Sequence, residues 1–183
     1  MDKINLQVVR ESFGRVAWTH KTHEKSVEME DKKIRSTRWW NIGLTGLTFL
    51  SFIASVIFPD QKCLLYVSAL LLAATLCYTV YLLSFNPEKI AESHRYVAKE
   101  LWLIREKYVN LIADIMNEKI DTTEIMRRRD QLVKDLAMLY KFAPQTSSEA
   151  YNKASAALKD NEELTFSNKE INNFLPKDLH VNE

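Results

Sequence analysis

Glycine and cysteine are scarce in this sequence, and their scarcity excludes whole classes of site. The 183 residues contain three glycines and two cysteines. Phosphate-binding loops and dinucleotide fingerprints need closely spaced glycines in a set pattern, which Gly14, Gly43 and Gly46 do not provide. Cys63 and Cys77 would lie about 21 Å apart on one helix, too far for a disulfide bond. With no C-x-x-C, G-x-S-x-G or H-E-x-x-H pattern either, the sequence predicts no catalytic residue, no cofactor site and no enzyme.

Charge is also missing from two long stretches of the chain. Charged residues make up 27% of the sequence, yet none occurs from Trp39 to Phe58 or from Cys63 to Phe85. A membrane-spanning helix needs roughly 20 predominantly apolar residues, and both stretches meet that length. Pro59 and three polar residues separate them, which is typical of a tight turn. The sequence therefore predicts a two-span hairpin over 39–85, with spans 39–58 and 63–85 and the turn 59–62.

The distribution of basic residues predicts how the hairpin is oriented. Cytoplasmic flanks of spans are rich in Lys and Arg. The connecting turn holds only Lys62, whereas six cations lie within about 20 residues before the first span and four within about 20 residues after the second: Lys21, Lys25, Lys32, Lys33, Arg35, Arg38, Lys89, Arg95, Lys99 and Arg105. We therefore expect both termini on the cytoplasmic side, with an N-terminal amphipathic helix over 1–38 and a C-terminal helical region over 86–183.

Apolar residues outside the spans recur at three- and four-residue steps, the period of an amphipathic helix. One such stripe precedes the first span (Leu6, Val9, Phe13, Val16, His20, His23, Val27, Ile34), and two follow the second (Ile90, His94, Val97, Leu101, Ile104, Tyr108, Leu111, Ile112, Ile115; then Ile125, Leu132, Leu136, Leu139). Helix starts are predicted at Asp121–Glu124, at Ser147 or Ser148, and at Ser167 with Glu170, the last helix ending at Pro176. No alternating strand pattern occurs, so the predicted fold class is an all-α membrane protein with a helical stalk or bundle.

Three histidines fall on these apolar stripes. His20 and His23 lie three residues apart, and His94 is placed to approach them from a neighbouring helix. Zinc usually takes three or four protein ligands, and no cysteine is near. No metal site is predicted; the alternatives are ordinary packing of hydrogen-bonded rings, or a ligand-binding or proton-sensing role. The basic run Arg127–Arg129 has two interpretations as well, a solvated helix face or a site for an anionic lipid or nucleotide, with nucleic acid disfavoured.

Hydroxyl and amide side chains form a stripe along each span. In the first span they step by three or four residues, with Gly43, Gly46 and Ala54 opposite them; the stripes are Asn41, Thr45, Thr48, Ser51 and Ser55, and then Ser68, Thr75 and Thr79. Such side chains either hold helices together or line a path for water. Two helices cannot enclose water, so a pore lined by these residues requires a homo-oligomer in the lipid bilayer.

Several segments resemble the SLATT family of bacterial two-transmembrane effectors, which are associated with SMODS nucleotidyltransferases, SLOG sensors or reverse transcriptases. The block Phe13–Lys25 carries the most specific likeness, through Arg15, Thr19, His20, Lys21, Thr22, His23, Glu24 and Lys25. Further similarities are Ala143–Ser147, then Tyr151 with Ala154 and Leu158, and finally Glu170-Ile171 with Phe174-Leu175-Pro176. The likeness covers nearly the whole chain and is greatest to the reverse-transcriptase-associated branch.

The resemblance implies a role in prokaryotic conflict systems at the inner membrane. There, a partner protein encoded nearby (a reverse transcriptase, nucleotidyltransferase or sensor) signals infection and triggers membrane permeabilisation; no catalytic residues are implied. Two hypotheses follow: a pore-forming antiviral effector, or a membrane-anchored module that recruits or regulates a partner without forming a pore.

Overall fold

The computed structural model describes residues 2–174, and every regular element in that range is a helix. They are α1 (Lys3–Ile57), α2 (Lys62–Phe85), α3 (Pro87–Met116), α4 (Thr122–Phe142), α5 (Ser148–Lys159) and α6 (Asn168–Phe174). The prediction of an all-α fold is confirmed. The predicted helix stop at Pro176, and the resemblance at Leu175 and Pro176, lie outside the described residues.

Helix α1 is a single unbroken helix of 55 residues. It begins at Asp2, whose carboxylate accepts a hydrogen bond from the Asn5 backbone N–H at 3.1 Å. At about 1.5 Å per residue the helix is about 80 Å long, far more than a span requires. Its N-terminal part belongs to an extramembrane bundle and its C-terminal part is the first span, with no hinge between the two.

A short turn joins α1 to α2, and a sharper break separates α2 from α3. The Phe58 backbone N–H donates to Ala54 O, and Gln61 N–H donates to Phe58 O, which closes the turn around Pro59 and Asp60. At Asn86 the backbone leaves the helix because Pro87 follows, and the Asn86 side chain caps α3 by accepting from Lys89 N–H at 3.1 Å. Helix α3 then returns along α1.

The predicted cap residues lie where helices begin. Asp121 accepts from Glu124 N–H at 2.8 Å to start α4, and Ser147 accepts from Ala150 N–H at 3.1 Å to start α5. Before α6, the Glu170 carboxylate accepts from Ser167 N–H at 2.8 Å, and Ser167 Oγ accepts from Glu170 N–H at 3.3 Å, which is a capping box.

The extramembrane bundle packs α1 against α3, with α4 and α5 added on the outside. Its core joins the apolar stripes of α1, α3 and α4, and comprises Leu6, Val9, Val16, Val97, Leu101, Ile104, Tyr108, Leu111, Ile115, Ile125 and Leu132. The predicted apolar stripe of α3 is wrong at one residue: Ile90 is 44% exposed, whereas its neighbour Ala91 is buried. The buried face of α3 continues from His94 to Ala91, so Ile90 lies about 100° around the helix from it.

The hairpin of α1 and α2 exposes its apolar side chains almost completely. Large apolar side chains along both spans, such as Phe49, Leu50 and Leu70, are 62%, 65% and 72% exposed, and both helices are long and apolar enough to cross a membrane. A core helix of a soluble protein would bury such a surface. The exposed apolar faces therefore place the hairpin in a membrane.

Candidate functional site

The three predicted histidines meet between α1 and α3, at the centre of the bundle. His20, His23 and His94 are 5%, 3% and 4% exposed. The Nδ1 atoms of His23 and His94 lie 2.9 Å apart, so one ring donates a hydrogen bond and the other accepts it. His20 Nε2 lies 3.6 Å from the Glu24 carboxylate, while its Nδ1 is buried without a hydrogen-bond partner in residues 2–174.

Burial favours the neutral form of all three rings. It lowers the pKa of His23 to about 4, and the nearby His94 and His20 add to that shift. Burial also lowers the pKa of His94, against the opposing effect of Glu30, and the pKa of His20, against that of Glu24. At neutral pH the cluster is an uncharged hydrogen-bonded contact. Within residues 2–174 no three His, Cys, Asp or Glu side chains are grouped to hold a metal ion.

Lys21, from the same block, is buried beside the histidines and is neutralised from two sides. Its Nζ lies 2.8 Å from the Glu24 carboxylate and 2.7 Å from that of Glu163, in the segment after α5. Burial by itself lowers the pKa of Lys21, but the hydrogen bonds to Glu163 and Glu24 outweigh it and raise that pKa. Lys25 reaches Glu163 at 3.5 Å and Glu28 at 3.0 Å. Glu163 was not predictable from sequence, because no local pattern indicates a contact between residues 142 positions apart.

The rest of the block supports α1 itself or the contact with α5. Thr19 and Thr22 donate to the carbonyls of Arg15 and Trp18, both at 2.9 Å. Arg15 forms an exposed ion pair with Glu11. The Trp18 ring packs 5.4 Å from that of Tyr151 on α5, and Lys159 Nζ lies 5.3 Å over the Trp18 ring. Through Trp18 and Lys21, the Phe13–Lys25 block of α1 contacts α5 and the segment after it.

The hydroxyl stripes of the two spans face each other inside the hairpin. Thr48 Oγ1 and Thr75 Oγ1 lie 3.0 Å apart, and each also lies 2.8 Å from a carbonyl oxygen of its own helix. Because a hydroxyl has one proton, each donates either across the seam or to its own helix. Ser68 is buried in the same seam, and Ser51 Oγ is buried with no hydrogen-bond partner in the described chain. In this single chain the stripes hold α1 and α2 together.

Not every residue of the predicted stripe lies in this seam. Asn41, Ser51, Ser55 and Thr79 are half-buried like Thr48 and Thr75, but Thr45 is exposed. Ala54, predicted on the opposite side, is half-buried. Leu44 and Ala54 are half-buried at the edges of the face of α1 that meets α2. Thr45 lies outside that face. Gly43 and Gly46 are exposed, and a side chain at either position would meet nothing within 4 Å.

The basic run on α4 is paired within the protein. The Glu124 carboxylate bonds to both Arg127 and Arg128 at 2.6 Å, and these guanidinium groups lower its pKa to about 2. Arg128 also reaches Asp114 on α3 at 2.9 Å, and Arg129 donates to Asn5 on α1 at 2.8 Å. These contacts favour the structural interpretation of the run over an anion site.

Comparison with known proteins agrees with this architecture. The sequence profile of the SMODS and SLOG-associating 2TM effector domain family 4 matches residues 6–170, from the start of the bundle core to α6. No curated protein and no solved structure matches. The matched region includes the histidine cluster, both spans and the segment that carries Glu163. The chain therefore belongs to the SMODS and SLOG-associating two-transmembrane effector (SLATT) family.

Proposed function

We propose that this SLATT protein is an antiviral effector that forms a homo-oligomeric pore in the bacterial inner membrane, with both termini in the cytoplasm. One observation carries the proposal: hydroxyl side chains line the inside of a hairpin whose outer surface is apolar. The Thr48–Thr75 contact closes that seam at 3.0 Å. A simple anchor needs no such stripe, because lipid-facing helices are satisfied by apolar side chains alone.

In the proposal, the described conformation is the closed state. Opening requires α1 and α2 to rotate or separate, so that the hydroxyls of several hairpins face a shared lumen. The exposed Gly43 and Gly46 offer a surface on which a helix of another copy can pack closely. Asn41, Thr45, Thr48, Ser51, Ser55, Ser68, Thr75 and Thr79 are the proposed pore-lining residues.

The continuity of α1 supports a mechanical link between signal and membrane. Since α1 has no break from Lys3 to Ile57, a displacement of the bundle end is carried directly into the first span. The second span is joined to α3 only through the non-helical Asn86, which permits the two spans to move differently. The proposed trigger is a partner protein encoded nearby, such as the reverse transcriptase of the branch that the sequence resembles. The proposal includes no enzymatic step and no cofactor.

Ion flux from liposomes tests the pore. Full-length protein activated by its partner should release a trapped ion, and Thr48→Val or Thr75→Val should reduce release at equal membrane insertion. Ser84→Ala is the control, because Ser84 is exposed on the same hairpin and bonds only to its own helix at Val80. Flux unchanged by both valine variants contradicts the proposed lining.

A second candidate function is a membrane-anchored module that binds a partner without a pore. The bundle favours it through an exposed apolar groove between α3 and α4, lined in part by Leu103, Met138 and Phe142, which are 45%, 62% and 81% exposed. Under this hypothesis, full-length protein in nanodiscs binds its partner, Phe142→Ser weakens that binding, and liposomes never leak. Leakage with the partner present excludes it.

A further inference from the structure

A charged groove lies between α1 and α3 where these helices leave the membrane. It has a volume of about 580 Å³ and is lined by Arg35 and Arg38 from α1 at its membrane end, and by Arg95 and Tyr96 from α3 further from the membrane. Lys99 lines the far end. Three carboxylates, those of Asp31, Glu88 and Glu92, share the walls.

Two of the carboxylates are already paired with arginines in the groove. Arg38 contacts Glu88 at 2.6 Å, and Arg95 contacts Asp31 at 3.2 Å. No ion pair within residues 2–174 engages Arg35, which is exposed and faces this space. The groove therefore contains the free guanidinium of Arg35 and two others, those of Arg38 and Arg95, whose carboxylate partners are accessible to solvent.

The depth of Arg35 and Arg38 matches the headgroup layer of a bilayer, whereas Arg95 lies about 14 Å along α3 from Asn86, beyond that layer. Arg38 directly precedes the first uncharged stretch, and Arg35 lies about 6 Å further along α1 from Trp39. The layer between hydrocarbon and water is roughly 5–8 Å thick on each side. Trp39 and Trp40, which are 73% and 71% exposed, are typical of side chains at the boundary of that layer.

We propose that this groove binds the phosphate of an anionic phospholipid headgroup, with Arg35 as its main ligand and Arg38, one turn nearer the hydrocarbon, completing the site. A guanidinium donates two parallel hydrogen bonds to phosphate oxygens, which gives a geometry that lysine does not. The lipid site requires the hairpin to lie in a membrane but does not require a pore. The lipid site and the pore can therefore each be wrong without the other.

Lipid binding by the full-length protein tests the site. Delipidated protein in neutral detergent is offered phosphatidylglycerol or phosphatidylcholine, and bound lipid is counted by native mass spectrometry. Arg35→Gln/Arg38→Gln removes two charges from the groove. Lys32→Gln/Lys33→Gln is the matched control, because it removes two exposed charges from the same helix outside the groove.

The wild type and the lysine control should retain phosphatidylglycerol in preference to phosphatidylcholine. The arginine pair should lose that preference by about 25-fold, at about fivefold for each cation. Equal losses in both double variants, or no preference in the wild type, overturn the site. Because Arg35 is unpaired and exposed, Arg35→Gln alone provides a variant with no packing to lose if the double variant is unstable.

A soluble phosphate is distinguished from a lipid by competition. Inorganic phosphate or glycerol phosphate at millimolar concentration should not displace phosphatidylglycerol, because neither has acyl chains that the detergent holds beside the groove. Lys99 lies about 20 Å along α3 from Asn86, beyond the headgroup layer, so Lys99→Gln should leave lipid binding unchanged. Displacement by the soluble anions together with a loss in Lys99→Gln overturns the lipid assignment in favour of a soluble ligand.

Discussion

His23 and His94 share one hydrogen bond between their Nδ1 atoms, 2.9 Å apart, in the buried contact of α1 with α3. The two rings cannot both be protonated without two Nδ1–H groups pointing at each other. The pairing therefore requires at least one of the two rings to be neutral, which links the stability of the bundle to their protonation.

We predict that the protein loses stability as the pH falls below about 6.5. The pKa of His23 is lowered to about 4 by burial and by His94 and His20, so the unfolded state binds this proton first. The free energy of unfolding is then highest above pH 6.5, the pKa of an unperturbed histidine, and declines as the pH falls toward 4. His23 alone should contribute a loss of about 2 kcal/mol at pH 5, measurable as a lower midpoint in chemical unfolding than at pH 7.5.

His23→Leu/His94→Leu should remove most of this pH dependence while preserving the fold, since both rings are buried. Burial also lowers the pKa of His20, so the part of the pH dependence that comes from His20 should remain. The same unfolding midpoint for the wild type at pH 7.5 and pH 5 contradicts the prediction.

The second prediction concerns the seam within the hairpin. Each threonine hydroxyl keeps its bond to its own helix, to Leu44 O or Leu71 O, when the other threonine is replaced. A double-mutant cycle with Thr48→Val and Thr75→Val should thus give a coupling energy of only about 0.6 kcal/mol in bilayer-like unfolding experiments. A coupling above about 2 kcal/mol would mean that the seam is a structural clasp, and any loss of ion flux would then reflect misfolding.

The third prediction distinguishes core from surface on α3. Leu101→Ala should lower the free energy of unfolding by about 2–5 kcal/mol, because Leu101 is completely buried against the apolar stripe of α1. Leu103→Ala makes the same chemical change on the same helix at a position that is 45% exposed, and should cost less than about 1 kcal/mol. Similar losses for both variants in thermal or chemical unfolding would place the core of the bundle elsewhere.

Local patterns were sufficient to predict the caps, the spans and most of the bundle core. The start of α4 at Asp121 and the capping box at Ser167 depend on residues within one turn, so their signals lie in short stretches of sequence. The apolar stripe of α3 is likewise a local periodicity, and it failed only at Ile90, near the break at Asn86. The contact of His94 with His23 was predictable because both residues lie on apolar stripes that must be buried against each other.

Contacts that depend on helix rotation or on distant segments were not predictable. The face of α1 that meets α2 is set by Leu44 and Ala54 as well as by the hydroxyls, so Thr45 turned out exposed. The ion pair of Lys21 with Glu163 joins residues far apart in sequence, through a segment with no helical period. Periodicity shows which face of a helix is buried, but it does not say which partner covers that face.

The last prediction concerns how α5 is held on α1. Ala150, Ala154 and Ala157 are 0%, 0% and 2% exposed, so their three methyl groups form the most deeply buried part of α5 and permit close packing. Ala154→Leu should force the helices apart at a cost of about 1–3 kcal/mol. A helix of 12 residues is marginal by itself, so the amides of Ser148–Lys159 should then exchange with solvent much faster.

Hydrogen exchange measured by mass spectrometry checks this result, with Ala156→Leu as the control. Ala156 is exposed on the same helix, so its replacement adds the same side chain without a clash and should keep the wild-type protection. Because Trp18 and Lys21 contact α5 and the segment after it, Ala154→Leu should also raise exchange in the Phe13–Lys25 block. Unchanged protection of α5 in Ala154→Leu would show that the alanine face is not what holds it.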